Sequence, residues 1–290
     1  MIVQIHRAIV RLSPVALLAV LATSILATCG RARAAEQESA QDLVQQVVNN
    51  EIRKQTGGKI IYWRYWEIVR QYGKKKLFHV YQTKDGTVKR LVAINGEPLP
   101  PAQRSHQEAL LRQIWNNPAL AHKAASAASQ DGNKERRLLA MLPKAFLFQY
   151  DGQEGNLVRL SFQPNPSFLP PTREAIVFHH MEGDLLVDPH QLRLAEINGR
   201  LVSEVKFWWG LLGYLDQGGT FLVRQTDVGG GNWQMTRLLV NMNGKALFFK
   251  TIGVQENKRF LNYRQNPPDM TLRQAIRQLE KVAIPRQFAA

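Results

Sequence analysis

The sequence predicts an α+β fold in which one long antiparallel sheet carries a small number of helices. About ten segments rich in β-branched and aromatic residues follow one another, and Gly, Asn, Asp or Pro separates most of them. Many of these segments alternate apolar and polar residues, which is typical of a sheet with one solvated face. Apolar residues take helical spacing before the series, after it, and between residues 102 and 142.

The first 35 residues have the three parts of a secretory signal peptide. His6, Arg7 and Arg11 form a cationic start, residues 14–28 carry no charge, and Ala32-Arg33-Ala34-Ala35 supplies small residues. The uncharged run is shorter than the roughly 20 residues of a spanning helix. We therefore expect a signal peptide over residues 1–35 and an exported protein of the periplasm or outer envelope, with a retained membrane anchor as the alternative.

Two routes of processing remain open. Ala32-x-Ala34 suits ordinary cleavage after Ala34 or Ala35, whereas Leu26-Ala27-Thr28-Cys29 resembles a lipobox, in which the cysteine is lipidated. Thr28 stands where Gly, Ala or Ser is usual. Cys29 is the only cysteine, so it has no intramolecular disulfide partner and is a lipidation candidate.

The positive charge predicts an anionic partner. The formal net charge is +15, and removal of residues 1–35, which hold four basic and no acidic residues, leaves +11. In a cell envelope the nearest polyanions are anionic lipid head groups and acidic polysaccharide. An anionic membrane surface is thus an expected partner, and nucleic acid is not, because export removes the opportunity to meet it. The basic residues are scattered, so a merely solvated surface is the alternative.

Residues 36–290 are expected to form a single β-rich domain. An amphipathic helix over 40–54 opens it and Thr56-Gly57-Gly58 ends that helix. Strands are predicted over 59–72, 75–83 and 87–94, with Asp85-Gly86 as a hairpin turn and Asn95-Gly96 closing the third strand.

A helical insertion is predicted over about 102–142. Leu110, Leu111, Ile114 and Trp115 share one helical stripe, and a second stretch, 134–142, is expected to end before Pro143. Strands resume at residue 145. They include 173–183 as one strand and Asn243-Gly244 as a further turn, and a helix over 271–282 closes the chain.

The strand series resembles the curved half-barrel of periplasmic lipoprotein carriers and outer-membrane lipoprotein receptors (LolA/LolB-like). The closest local match is Gly183-Asp184-Leu185-Leu186-Val187-Asp188-Pro189, followed by residues 192–197. The resemblance implies a strongly curved antiparallel β-sheet, an N-terminal helix, helices on the concave side, and a lipid or lipidated protein as partner. The insertion at 102–142 is longer than that fold implies.

The mature chain also resembles a family of uncharacterised exported bacterial proteins. This likeness rests on residues 91–99, Met141-Leu142-Pro143, residues 146–152, Trp209-Gly210-Leu211-Leu212-Gly213 and residues 250–254. It supports export and the fold, and it implies no activity.

No motif for catalysis, a metal or a cofactor stands out. His179-His180-Met181-Glu182 is the best cluster, but neighbours in a strand point to opposite faces, so only His180 and Glu182 share one. No H-E-x-x-H motif, cysteine pair or G-x-S-x-G elbow accompanies it. Gly229-Gly230-Gly231 lies between strand-like runs and predicts a hairpin loop rather than a phosphate-binding loop. We expect a protein that is not an enzyme.

Large aromatic side chains suggest a groove for an apolar ligand. The ligand-groove candidates are Trp63, Tyr65, Phe207, Trp208, Trp209, Phe221 and Trp233. The alternative is that these rings form the core. The uncharged run 207–215 could instead cross the core, plug the groove or touch a membrane surface. Two functions follow: binding of a lipid or other apolar ligand in the concavity of a bent sheet, or a non-catalytic structural or interaction role in the envelope.

Overall fold

A computed structural model describes residues 39–58, 60–207, 213–246 and 250–288. In these residues the fold is α+β, with thirteen strands in one antiparallel sheet. The helices are α1 (Ala40–Thr56), α2 (Pro101–Asn116), α3 (Ala119–Ala145) and α4 (Leu272–Glu280). The strands are β1 (Trp63–Gln71), β2 (Lys74–Thr83), β3 (Gly86–Ile94), β4 (Glu97–Pro98), β5 (Phe146–Glu154), β6 (Leu157–Pro164), β7 (Met181–Asp188), β8 (Arg193–Leu201), β9 (Val205–Phe207), β10 (Gly213–Leu215), β11 (Thr220–Asp227), β12 (Trp233–Ala246) and β13 (Lys250–Gln265).

The main path of the sheet runs β4-β3-β2-β1-β13-β12-β11-β8-β7-β6-β5, and the β9–β10 pair joins it through β12. β1 pairs with β13, so the first long strand and the last one join the two halves of the sheet. β4 and β5 are the two ends of this path and do not pair with each other in the described part of the chain, so the sheet is not closed into a barrel. The predicted α+β class and antiparallel sheet are confirmed, with three more strands than the sequence indicated.

The two faces of the sheet follow from its register, because paired residues share a face and successive residues alternate. Ile197, Leu185 and Leu160 pair in turn across β8, β7 and β6, and they pack with α1. We call this side the α1 face. The adjacent row lies on the other side, which we call the groove face; it consists of Leu239, Leu222, Asn198, Asp184, Ser161 and Gln149.

The larger core lies between α1 and the α1 face of β5–β8. Ser39 caps α1 by accepting a hydrogen bond from the Asp42 amide, and the apolar stripe of the helix is buried against the sheet. Glu51, 2% exposed, fixes the other end of the helix. Its carboxylate accepts hydrogen bonds from Arg193 Nε (2.7 Å) and Nη2 (3.1 Å) and from the Leu194 amide (2.9 Å). Because a buried charge needs a partner, this contact sets the position of α1 on β8.

A second core lies on the groove face at β2 and β3, beneath α4. Thr271 and Gln274 form a capping box at the start of α4, and its apolar residues pack against Tyr81 and Val88. Arg90 Nη1 donates to the carbonyls of Leu279 and Glu280. A positive charge at this position stabilises the C-terminal end of α4. The LolA/LolB-like resemblance implies helices on the concave side; α4 lies on the groove face, whereas α1 lies on the other face.

Helix α3 joins the α1 core and the α4 core. Ala121, near its start, packs in the α4 core, and Leu142 and Ala145, at its end, pack in the α1 core. The predicted helix end before Pro143 is wrong, because α3 continues to Ala145. The Gln41 side chain donates to the Pro143 carbonyl, and burial of the last turn holds a conformation that a proline alone disfavours.

The strand predicted over 173–183 is also wrong over most of its length. Residues Glu174–His180 form a 3₁₀ helix, and β7 begins only at Met181. Ala175 and Phe178 are both buried, and three residues is the repeat of a 3₁₀ helix. The apolar residues therefore belong to a helical turn rather than to an alternating strand.

Asn243-Gly244 is not a turn. Both residues lie within β12, where Gly244 pairs with Ile252 of β13 and with Leu215 of β10. A Cβ atom at Gly244 would lie 2.1 Å from the Tyr214 carbonyl oxygen. The glycine thus permits close backbone approach at a crowded position, whereas Asn95-Gly96 is a two-residue turn, as predicted.

Candidate functional site

The groove face carries a concavity of about 740 Å³. All six residues of its central row, from Leu239 to Gln149, line this concavity. Since neighbouring strands lie about 4.8 Å apart, a row across six strands spans roughly 24 Å. The site is therefore an elongated depression across the sheet.

A second concavity of about 540 Å³ adjoins the first and shares Thr220 and Leu239 with it. Its other walls are residues 70–75 at the tip of the β1–β2 hairpin, residues 240–241 of β12 and residues 255–257 of β13. The groove therefore extends from β5 to the β1–β2 hairpin. We refer to the two concavities together as the groove.

The groove has an apolar strip among polar groups. Leu222 and Leu239 are directly paired and half-buried, and Leu147 at the far side is 42% exposed. Around them the lining is mostly amide, hydroxyl and charged, and Arg200 Nε donates to Glu182 Oε1 at 3.0 Å. Such a surface can accommodate an apolar chain and also hydrogen-bond a polar group.

Two of the predicted groove residues, Trp63 and Tyr65, lie together in β1 and outside the groove. Both contact Tyr263, with ring centroids 5.9 and 4.8 Å away, and Trp63 is buried. Burial, reinforced by the nearby Glu67 carboxylate, raises the pKa of Tyr65 to about 12, and burial also raises the pKa of Tyr263. Both phenols therefore stay protonated at neutral pH, and these rings form part of the packing between β1 and β13.

The remaining aromatic candidates are dispersed. Phe221 borders the larger concavity, but its ring lies on the α1 face, opposite to Leu222, where it packs against the α1 core. A Cβ at Gly199 would meet this ring at 2.6 Å. Trp233 lies at the other end of β11–β12, beneath the Arg193 guanidinium (5.4 Å), and its Nε1 donates to Gln191. Phe207 ends β9 and its side chain is outside the described part, as are Trp208 and Trp209. Cys29 and the predicted signal peptide also lie outside the described residues.

The residues of the histidine cluster do not share one strand, because His179 and His180 end the 3₁₀ helix and Met181 and Glu182 begin β7. His180 Nδ1 lies 2.7 Å from Ser203 Oγ, whereas the Glu182 carboxylate is engaged by Arg200. Burial, followed by the positive charge of His179, lowers the pKa of His180. No group of three or more potential metal ligands occurs in the described ranges.

The Gly229-Gly230-Gly231 segment is a hairpin loop between β11 and β12, as predicted. All three glycines have positive φ, and the Asp227 carboxylate accepts from the amides of Gly229 and Gly231. Two of the three glycine amides that a phosphate loop would offer to a ligand are thus engaged within the chain itself.

Sequence reasoning missed most of the groove. Leu222, Leu239 and Asn198 occur in ordinary alternating strands, and alternation does not tell which of two faces is covered by a helix. Leu147 is harder still to find. From the sequence alone, a large apolar residue in a strand is assigned to the core, and nothing local shows that β5 is an edge strand.

No protein-family model matches this chain, and no curated protein and no solved structure matches it. None of the helices in the described ranges combines the length and hydropathy that crossing a membrane requires. The groove itself is therefore the basis for assigning a function.

Proposed function

We propose that this protein is an exported bacterial envelope protein whose bent sheet, a LolA/LolB-like half-barrel, binds a lipid or another amphiphile without catalysing a reaction. The observation that carries the proposal is the groove. Six directly paired residues on six adjacent strands line one continuous depression, which supports a sheet that is concave on this face.

The chemistry of the groove supports an amphiphilic ligand. Leu222 and Leu239 give an apolar strip along which an acyl chain can lie, and the amides and the Glu182–Arg200 pair beside it can meet a polar head. The combined volume is adequate for a drug-sized or lipid-sized ligand. This ligand class follows from the groove rather than from the aromatic residues.

Native mass spectrometry of the protein purified from its own envelope tests the proposal. We expect a bound lipid, which Leu222→Thr with Leu239→Thr should remove by making the strip polar while keeping β propensity. Leu238→Thr is the matched control, since Leu238 is equally half-buried in the same strand but lies on the α1 face. Repeated recovery of empty wild-type protein would favour the structural or interaction role instead.

The same preparation tests export. The mass of the mature N-terminus distinguishes cleavage after Ala34 or Ala35 from lipidation at Cys29. A chain that retains its first 35 residues in the cell would contradict both routes.

We propose that the partner surface is an anionic membrane, contacted by the β1–β2 hairpin tip. Tyr72 is 86% exposed at the turn, and Arg70, Lys74, Lys75 and Lys76 surround it. Both turn residues, Tyr72 and Gly73, have positive φ (50° and 72°), a conformation that favours Asn-Gly. The Asn95-Gly96 turn of the same sheet also has positive φ at both positions and uses the residues that favour it. The turn therefore does not require an aromatic residue at position 72, and the exposed Tyr72 ring does not pack in a core.

Vesicle sedimentation tests this contact, with equal parts of phosphatidylglycerol and phosphatidylcholine compared with phosphatidylcholine alone. Lys74→Gln, Lys75→Gln and Lys76→Gln together should weaken binding to the anionic vesicles by about 100-fold, at roughly 1 kcal/mol per cation. Tyr72→Asn should weaken it further without disturbing the turn.

The control triple Lys123→Gln, Arg137→Gln and Lys144→Gln removes the same charge from exposed sites on α3. Equal losses in the two triple variants would show that only net charge matters. Binding of soluble polyphosphate with an affinity equal to that for the vesicles would indicate a polyanion partner rather than a membrane.

A further inference from the structure

Three arginines face one another across the groove face. Arg259 of β13 pairs directly with Arg237 of β12, and Arg237 pairs directly with Arg224 of β11. Because like charges placed opposite each other destabilise a sheet, this row works against folding unless something else compensates it. The row lies two residues along the strands from Leu239 and Leu222, about 7 Å away.

Only one of the three arginines has an ion-pair partner in the described part of the chain. Glu196, on the next strand, is buried and accepts from Arg224 Nε. Arg237 is half-buried and Arg259 is exposed, and neither has an acceptor among the described residues. Two adjacent guanidinium groups are thus free to bind an anion beside the groove.

We propose that Arg237 and Arg259 bind a phosphate group, and that this phosphate is the head of the amphiphile in the groove. The guanidinium fork matches phosphate oxygens bidentately, and two forks on neighbouring strands offer a doubly charged group two such contacts. The apolar strip begins one pleat away, so a phosphate at the arginines places its attached chain along Leu239 and Leu222. This inference rests on the proposed function, because it names the head group of that same ligand.

Isothermal titration of the mature protein with three probes tests it. The probes are dodecyl phosphate, dodecyl maltoside as an uncharged amphiphile, and inorganic phosphate. Arg237→Gln with Arg259→Gln should weaken dodecyl phosphate about 10- to 100-fold, since charged hydrogen bonds are lost, and should leave dodecyl maltoside unchanged. Arg112→Gln with Lys123→Gln removes the same charge from exposed helix sites and should change neither.

Folding is checked independently, because removal of opposed like charges should leave the melting temperature equal or higher. A lower melting temperature in the double arginine variant would make the row structural and overturn the inference. If the double arginine variant binds each amphiphile as tightly as the wild type does, the phosphate inference is overturned and the proposed function stays intact. Binding of inorganic phosphate without either amphiphile would retain the anion site but refute the lipid function, and no binding of any probe would refute both.

Discussion

At the level of single residues, His79 links the stability of the sheet to pH. Its ring stacks on Trp66 at 4.1 Å and meets Tyr81 at 4.9 Å, and its Nδ1 is enclosed without a hydrogen-bond partner in the described part of the chain. Burial, and then the nearby Arg64 charge, lowers the pKa of His79 to about 4. The imidazole is therefore neutral in the folded protein across the physiological range.

We expect His79 to destabilise the fold as pH falls from about 6.5 to about 4. In that window the unfolded chain binds a proton that the folded chain does not, so stability rises with pH. With a discount for partial exposure, the loss is about 1–2 kcal/mol. Urea unfolding at pH 7.5 and pH 5 measures it, and His79→Phe, which keeps the stacking, should lose less over the same interval. An equal loss in the variant would assign the effect to other groups.

Residues also show why the site was only partly predictable. Trp63 and Phe221 have equal claims as groove aromatics in the sequence, yet Trp63 is buried against Tyr263 and the Phe221 ring packs against the α1 core. Which side chains end up on the groove face depends on the strands that pair alongside, and that is a long-range property. Tyr72 is the opposite case, because an aromatic residue before glycine between two strands is itself an unusual pattern.

At the level of elements, α3 is a 27-residue helix that contains a mid-helix glycine, Gly132. A Cβ at Gly132 would have no atom of the described residues within 4 Å. Gly132→Ala should therefore stabilise the protein by about 0.5–1 kcal/mol, because alanine restricts the unfolded chain and favours the helix.

Differential scanning calorimetry checks this change, with Gly183→Ala as the contrasting variant. A Cβ at Gly183 would lie 2.1 Å from the Asn198 carbonyl oxygen, so that substitution should lower the melting temperature. A lower melting temperature for Gly132→Ala would indicate that α3 does not tolerate alanine there.

Elements were predictable where the signal is local. The spacing of Leu43, Val44, Val47 and Val48 and the turn at Asn95-Gly96 depend on neighbours in sequence, and both predictions are confirmed. Residues 174–180 and Gly244 were misassigned because their conformation depends on what packs on them: buried Phe178 requires a helical turn, and β10 approaches Gly244.

At the level of the whole molecule, the arrangement depends on pairings that no local pattern encodes. β1 pairs with β13, with Trp63 opposite Gln265. β8 pairs with β11, although β9 and β10 lie between them in the sequence. These two pairings place the α1 core, over β5–β8, on one face of a single sheet. The α4 core, over β2 and β3, and a third cluster around Trp66, Ile68 and Phe288 lie on the other face. The groove occupies the area of the groove face that α4 leaves open.

Because the sheet is continuous and α3 packs in both cores, we expect the cores to unfold together. Ile276 and Leu160 are fully buried in the α4 and α1 cores, and alanine at either position should remove about 2–5 kcal/mol. In a single cooperative unit each variant lowers the unfolding midpoint of both cores equally. Hydrogen exchange with mass spectrometry at increasing urea measures this, since peptides from β2 and β6 should lose protection at the same concentration. Early loss in β2 alone for Ile276→Ala would show instead that the α4 core unfolds separately and that the chain contains two units of stability.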